Sequence, residues 1–447
     1  MATEALIGSS DNLTDLKPPT GCNYSFRKWF AIFLSGFSYI FVYFHRFTTA
    51  VLADLMARDL NVPKTSLGIF TSMYFWPYGL MQPFVGSLAD IFEPGYMIAI
   101  ANIVSASGAL LCAFSHSLAV GCVGRFLVGL GCSGIFVPTN KIAANWFTPQ
   151  QFRFFSGALI GLGGIGSLLS QTPLSVVGHA IGWRLCLSGV AIVSFVIAIL
   201  SFFFVKGHPR SLGYYSDVPL PPKVKASELF GQLVRNLKNM VKLGDFWMLA
   251  LFMFFAPGIY MDVSAMWGVP YLEDVFKYDA NKASLVQMAL SISIIIGSPL
   301  LPVISEKVKS RKWTLFVVNI FSLAAALILA LTKDILPTAA IIACYFFFGV
   351  GSSASQGAAL AMFKEFADIS LAATLVGGGN TGPFIGGALL QTITSEIMKT
   401  YGNHVHYPIE SYAISLWGLS AVALLLADFC LLFLKEPKMD QTHVTLE

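Results

Sequence analysis

"GLGGIG" at residues 161–166 and "GGGNTG" at residues 377–382 share the spacing G-x-G-x-x-G and stand 216 residues apart. In a soluble enzyme this spacing cradles the pyrophosphate of a dinucleotide, provided that a strand precedes it and a helix follows. Here the flanks are apolar on both sides, so the surroundings decide the meaning. The 447-residue chain is 55% apolar and only 12% charged, with mean hydropathy +0.70. A soluble chain carries about a quarter charged residues. Most of this surface must therefore face lipid, and the glycines are small residues that let spanning helices approach closely.

A spanning helix needs roughly 20 mostly apolar residues. That window predicts twelve spans: 29–55, 66–89, 96–115, 118–140, 152–177, 184–205, 246–271, 284–305, 313–332, 338–363, 370–395 and 411–434. The fold class is an all-α membrane protein, with about twelve transmembrane helices in two parallel six-helix halves around a central cavity. The expected organisation is a tail over 1–28, a first half over 29–205, a linker over 206–245, a second half over 246–434 and a tail over 435–447. In the linker Leu229, Leu233, Leu237 and Met240 recur at helical spacing between basic residues, which predicts an interfacial helix.

Assigning connections alternately to two sides places 18 of the 28 Lys and Arg on the side of the termini and 7 on the other. The positive-inside rule makes both termini and the linker cytoplasmic. The N-terminal stretch lacks a basic region followed by a short apolar run and a cleavage site, so no signal peptide is expected. The seven cysteines show no zinc or disulfide spacing. No cofactor, metal or nucleic-acid partner is expected. The expected partners are the bilayer, a small-molecule substrate, and protons or a counter-anion, with the protein a monomer in the plasma membrane.

Setting Gly161 over Gly377 aligns "ALIGLGGIG" (158–166) with "TLVGGGNTG" (374–382). "FLVGLGCSG" (126–134) falls near "FFFGVGSSA" (346–354), and "SLGIFTSMYFWPYG" (66–79) near "SLVQMALSISIIIG" (284–297). Two parallel repeats joined by a long linker resemble the major facilitator superfamily. "GSLAD" (86–90), ending in Asp90, is similar to the start of the superfamily's loop between spans two and three, although "IFEPGYM" follows without the usual basic residues. "GRFLVGLGCSG" (124–134) resembles the motif of span four that contains Arg125, a residue the resemblance makes structural. "YFHRFTTAVLADLMARDL" (43–60) and "FVPTNKIAANWF" (136–147) resemble the organophosphate:phosphate antiporters and the anion:cation symporters.

A charge in the bilayer core costs on the order of 3 kcal/mol, so intramembrane charges are functional candidates. Arg46 shares a helical face with Tyr39 and Tyr43, and the resemblance implies that it binds the anionic group of a substrate. Lys141, at the close of span four, is a second candidate, with snorkelling as the alternative. Arg46 plus 216 is Asp262, so an acid stands where the antiporters place a second Arg. Asp262 is expected to face Arg46 across the cavity and to load a proton, or to bind an ammonium. Tyr260, Trp267, Gln287, Gln356 and Asn380 are expected to complete the cavity. The function that follows is a secondary transporter for a solute bearing a carboxylate or phosphate. A zwitterion carrier and a non-transporting receptor are the alternatives. No enzyme motif occurs at membrane depth.

Overall fold

The computed structural model describes residues 17–216, 226–332, 334–366, 369–402 and 406–436. Backbone polar groups in lipid must be satisfied within the segment, so apolar runs of this length fold as helices. Span one is Cys22–Asp59, span two Ser66–Ile91, span three Pro94–Ala113, span four Leu118–Ser133 with Phe136–Trp146, span five Pro149–Leu169 with Thr172–Ile181, and span six Trp183–Phe204. Span seven runs Gly244–Phe276, eight Ala280–Val308, nine Arg311–Leu331, ten Thr338–Glu365, eleven Ile369–Lys399 and twelve Ile409–Phe433. Among the described residues, nine helices are long and apolar enough to cross a membrane by themselves. The linker carries a helix at Ala226–Met240, with Asn236 and Met240 packed on span eleven.

Helix ends fall where the side chains stop them. Thr148 and Gln151 form a reciprocal capping box at the start of span five. Asp279 and Ser310 cap spans eight and nine through the N–H groups of Lys282 and Trp313. Three π-helical turns, Val263–Trp267, Val350–Ala354 and Ala413–Gly418, interrupt spans seven, ten and twelve.

The repeat is visible in the packing. In the first half span one packs on five and six, three on four and six, and two on four. In the second half seven packs on eleven and twelve, nine on ten and twelve, and eight on ten. The halves meet through spans two with eleven, five with eight and one with seven. The paired glycine runs sit where helices touch. A Cβ on Gly166 would lie 2.0 Å from the Ile40 carbonyl of span one, and one on Gly382, its equivalent 216 residues on, 2.8 Å from the Ala250 carbonyl of span seven. Gly161 has open space beside it, and Gly377 lies against the Gln82 carbonyl of span two.

Gly166→Val drives span five off span one, and overpacking of this kind costs about 1–3 kcal/mol. Its melting midpoint in detergent falls, whereas Gly161→Ala melts with the wild type.

Candidate functional site

Arg46 lies 24 residues into span one and is 4% exposed. Three aromatic rings surround its guanidinium: Tyr43 at 4.3 Å, Phe384 at 5.0 Å and Tyr78 at 5.1 Å from the ring centroids. Such contacts contribute about 2 kcal/mol each when desolvated. Tyr74 and Tyr78 also lie within electrostatic reach of it. Its Nε is buried without a partner, and among the described residues no carboxylate pairs with it. Among the described residues, aromatic rings thus surround a full positive charge that no carboxylate balances.

Arg125 of span four explains how the first half carries that charge. Its Nη1 donates to the His45 carbonyl at 2.6 Å and its Nη2 to the Arg46 carbonyl at 3.3 Å. Tyr74 of span two donates to the Val42 carbonyl at 3.1 Å. The backbone under Arg46 is therefore clamped from two neighbouring helices.

Arg46 opens onto a cavity of ≈ 80 Å³ between the halves. Spans one, two and four supply Tyr39, Tyr43, Tyr78 and Phe136. Spans eight, ten and eleven supply Ser298, Ser353, Gln356, Asn380 and Phe384. A chain of amides crosses the interface beside it. Gln356 Nε2 donates to Asn380 Oδ1 at 2.9 Å, and Asn380 Nδ2 to Gln82 Oε1 at 3.0 Å. Gln82 Nε2 donates to the Tyr78 carbonyl at 3.3 Å.

Of the residues expected at the site, Arg46, Tyr39, Tyr43, Gln356 and Asn380 come together around this cavity. The others go elsewhere. Lys141 donates to the Ala89 carbonyl near the end of span two, where the helix dipole favours a cation. Tyr260 sets its ring against Phe47 and its hydroxyl on the Leu290 carbonyl. Trp267 packs between Tyr407 and Tyr412, and Gln287 donates to the Ser264 carbonyl inside the π turn at 2.9 Å. Asp262 does not face Arg46. Its carboxylate turns into span eleven and accepts from the Thr394 hydroxyl at 2.5 Å. It is fully buried, its Oδ1 has no partner, and no cation accompanies it among the described residues. The side chain of Asp90 lies outside the described residues. Tyr78 and Phe384, which box the guanidinium, escaped the sequence reading because each looks like any aromatic residue of a span.

Residues 35–391 match the Major Facilitator Superfamily. The chain belongs to that family. Among curated relatives, it is 23% identical to a probable sulfoacetate transporter of Cupriavidus necator over 61% of this chain and 64% of that one. It is 24% identical to a hexuronate transporter of Bacillus subtilis over 64% of this chain and 66% of that one. The chain thus spans just under two thirds of the length of these relatives. A probable hexose phosphate transport protein of Chlamydia trachomatis is 22% identical over 67% of this chain and 70% of that one. The family and these relatives are transporters, not enzymes. Among solved structures, the nucleoside transporter NupG superposes with TM-score 0.70 at 13% identity, covering 92% of this chain and 100% of that one. A bacterial homologue of the lysosomal transporter Spinster does so with TM-score 0.66 at 17% identity, covering 91% and 95%. This superfamily member is a multi-pass membrane protein with the shared twelve-helix, two-domain fold.

Asn380→Leu strands the Gln82 oxygen and the Gln356 amide together, and an unmade buried hydrogen bond costs about 1–3 kcal/mol. A melting curve of the purified variant is expected to show the loss even without ligand.

Proposed function

We propose that the protein is a secondary transporter that carries a small organic anion by alternating access, with Arg46 taking the anionic group. The observation that carries this reading is the buried guanidinium, set in a cavity between two halves, with no counter-charge among the described residues. An ionised group removed from water is stable only when paired and hydrogen-bonded. A substrate carboxylate or phosphate supplies the missing charge, and the planar fork of Arg grips it through two bonds. The names of the relatives, which refer to sulfoacetate, hexuronate and hexose phosphate, support an anionic substrate. One guanidinium in the cavity matches one negative group, and the Gln356, Asn380, Ser298 and Ser353 side chains offer neutral hydrogen bonds to the rest of the solute.

Asp262 is the proposed proton carrier. A lone carboxylate in a low-dielectric interior is several kcal/mol costlier ionised than neutral. The Thr394 hydroxyl is its only described hydrogen-bond partner. The same geometry disfavours the zwitterion reading, because Asp262 points away from the cavity and leaves an ammonium no partner there. The proposed setting is the plasma membrane, with both termini cytoplasmic and the carrier a monomer.

Proteoliposome uptake of glucuronate, sulfoacetate and glucose 6-phosphate tests the reading. Wild type takes up at least one of them, and Arg46→Lys, well folded, loses about ten- to hundred-fold of that uptake, the equivalent of one strong charge-assisted pair. Undiminished uptake by Arg46→Lys removes the substrate role. Asp262→Asn mimics the loaded acid permanently. Uptake driven by a pH gradient then fails, while exchange of labelled for unlabelled substrate in the same liposomes survives. Normal gradient-driven uptake by this variant excludes the coupling role.

A further inference from the structure

At the end of the bundle opposite the termini, one lysine stands among carboxylates from both halves. Lys64 lies in the turn between spans one and two, and its side chain is 1% exposed. Its ammonium is 2.5 Å from Asp54 Oδ1 of span one, 3.8 Å from Asp274 Oδ1 and 4.0 Å from Glu273 Oε2, the last two on span seven. Asp274 is itself completely buried and tied to its own half. The Tyr412 hydroxyl donates to its Oδ2 at 2.6 Å, the Tyr407 N–H donates to the same oxygen at 3.0 Å, and His406 Nδ1 sits 2.5 Å from its Oδ1. One carboxylate therefore knits span seven, span twelve and the connection between eleven and twelve. Lys64 then fastens that knot to the first half.

Away from this cluster, the inter-half hydrogen bonds near this end are neutral among the described residues. The Ser284 hydroxyl donates to Thr172 Oγ1 at 3.3 Å, and the Thr71 hydroxyl reaches Met266 Sδ at 3.6 Å. A Cβ on Gly68 would lie 1.9 Å from the Ser395 hydroxyl, so spans two and eleven are in close contact as well. Contacts of this kind slide apart at little cost. A buried ammonium with three carboxylates around it does not, because separating the halves strands charges that the other side had satisfied. Burial alone lowers the Lys64 pKa, but the fields of Asp274, Asp54 and Glu273 outweigh it and raise the pKa above its ordinary value. With Arg58 also acting on Glu273 and His406 on Asp274, the cluster holds charges of both signs. Lys64 stays protonated across the physiological range.

We propose that Lys64, with Asp274 and Glu273, is the latch that holds the two halves together at the end opposite the termini, and that its rupture opens the central cavity there. The inference rests on the alternating-access reading, since only a chain that rocks has to break this tie. It adds a gating residue that touches neither the Arg46 cavity nor Asp262.

Distances between spin labels at His116 and Ile335 test it. These exposed positions lie in the connections between spans three and four and between nine and ten, one on each half at the latched end. In a background lacking accessible cysteines, wild type shows a short distance, with a longer one making up about a tenth or less, as a minor conformer does. Lys64→Gln makes the longer distance the larger population, and Lys64→Arg, which keeps the charge, restores the short one. Should Lys64→Gln not fold, the double variant Lys64→Met with Asp54→Leu removes the ion pair of the first half as a unit and is expected to open in the same way. An unchanged distance distribution in the folded variant overturns the latch. The measurement needs no substrate, so that result leaves the carrier reading standing, whereas a shifted distribution beside absent uptake leaves the latch standing and removes the carrier.

Discussion

Keeping a guanidinium inside a membrane-spanning bundle with no carboxylate beside it among the described residues is the constraint on which the rest of this structure depends. Arg46 has aromatic rings around it, which soften its desolvation, while no carboxylate among the described residues balances its charge. The backbone that bears it is clamped by Arg125 and Tyr74. Phe384, one of its three rings, belongs to the other half. Any movement of one half against the other therefore changes the surroundings of this one charge.

Relative motion of the halves requires two rigid bodies, and the glycines supply the means. Gly166 on Ile40 in the first half and Gly382 on Ala250 in the second bring backbones together where a side chain would hold them apart. The halves share one pattern of helix pairs, and two of the contacts through which they meet are symmetry-related, spans two with eleven and five with eight. One of these carries the Gln82–Asn380–Gln356 amides, and the other the Ser167–Ser291 hydroxyl pair at 2.6 Å. Neutral hydrogen bonds of this kind exchange with water at small net cost, which suits a surface that parts and closes.

The spans were legible in the sequence because lipid imposes a length and a polarity that any 20-residue window reports. Arg46 was legible for the same reason, since its cost in that setting has to be met by a task. The offset of 216 placed Asp262 at the depth of Arg46 but not its facing. Facing depends on helix rotation and neighbours, and a π turn begins one residue after Asp262. No local sequence signal announces a π turn, so the directions of Trp267 and Gln287 were equally hidden. Lys141 shows the limit at a helix end, where the same residue reads as a ligand or as a snorkelling lysine until the Ala89 carbonyl is seen beside it. Lys64, Glu273 and Asp274 lie at the ends of spans and carry no motif in the sequence. Only the tertiary structure brings them together from two halves and buries them.

The most direct measurement is a structure determined in lipid with saturating glucuronate, sulfoacetate or glucose 6-phosphate, whichever the protein takes up. The account predicts the anionic group in a two-bond contact with the Arg46 guanidinium, oxygens about 2.7–2.9 Å from its nitrogens, among Tyr43, Tyr78 and Phe384, with the rest of the solute against Gln356 and Asn380. An anion seated away from Arg46, or Arg46 found paired with an acidic side chain of the protein, would contradict it.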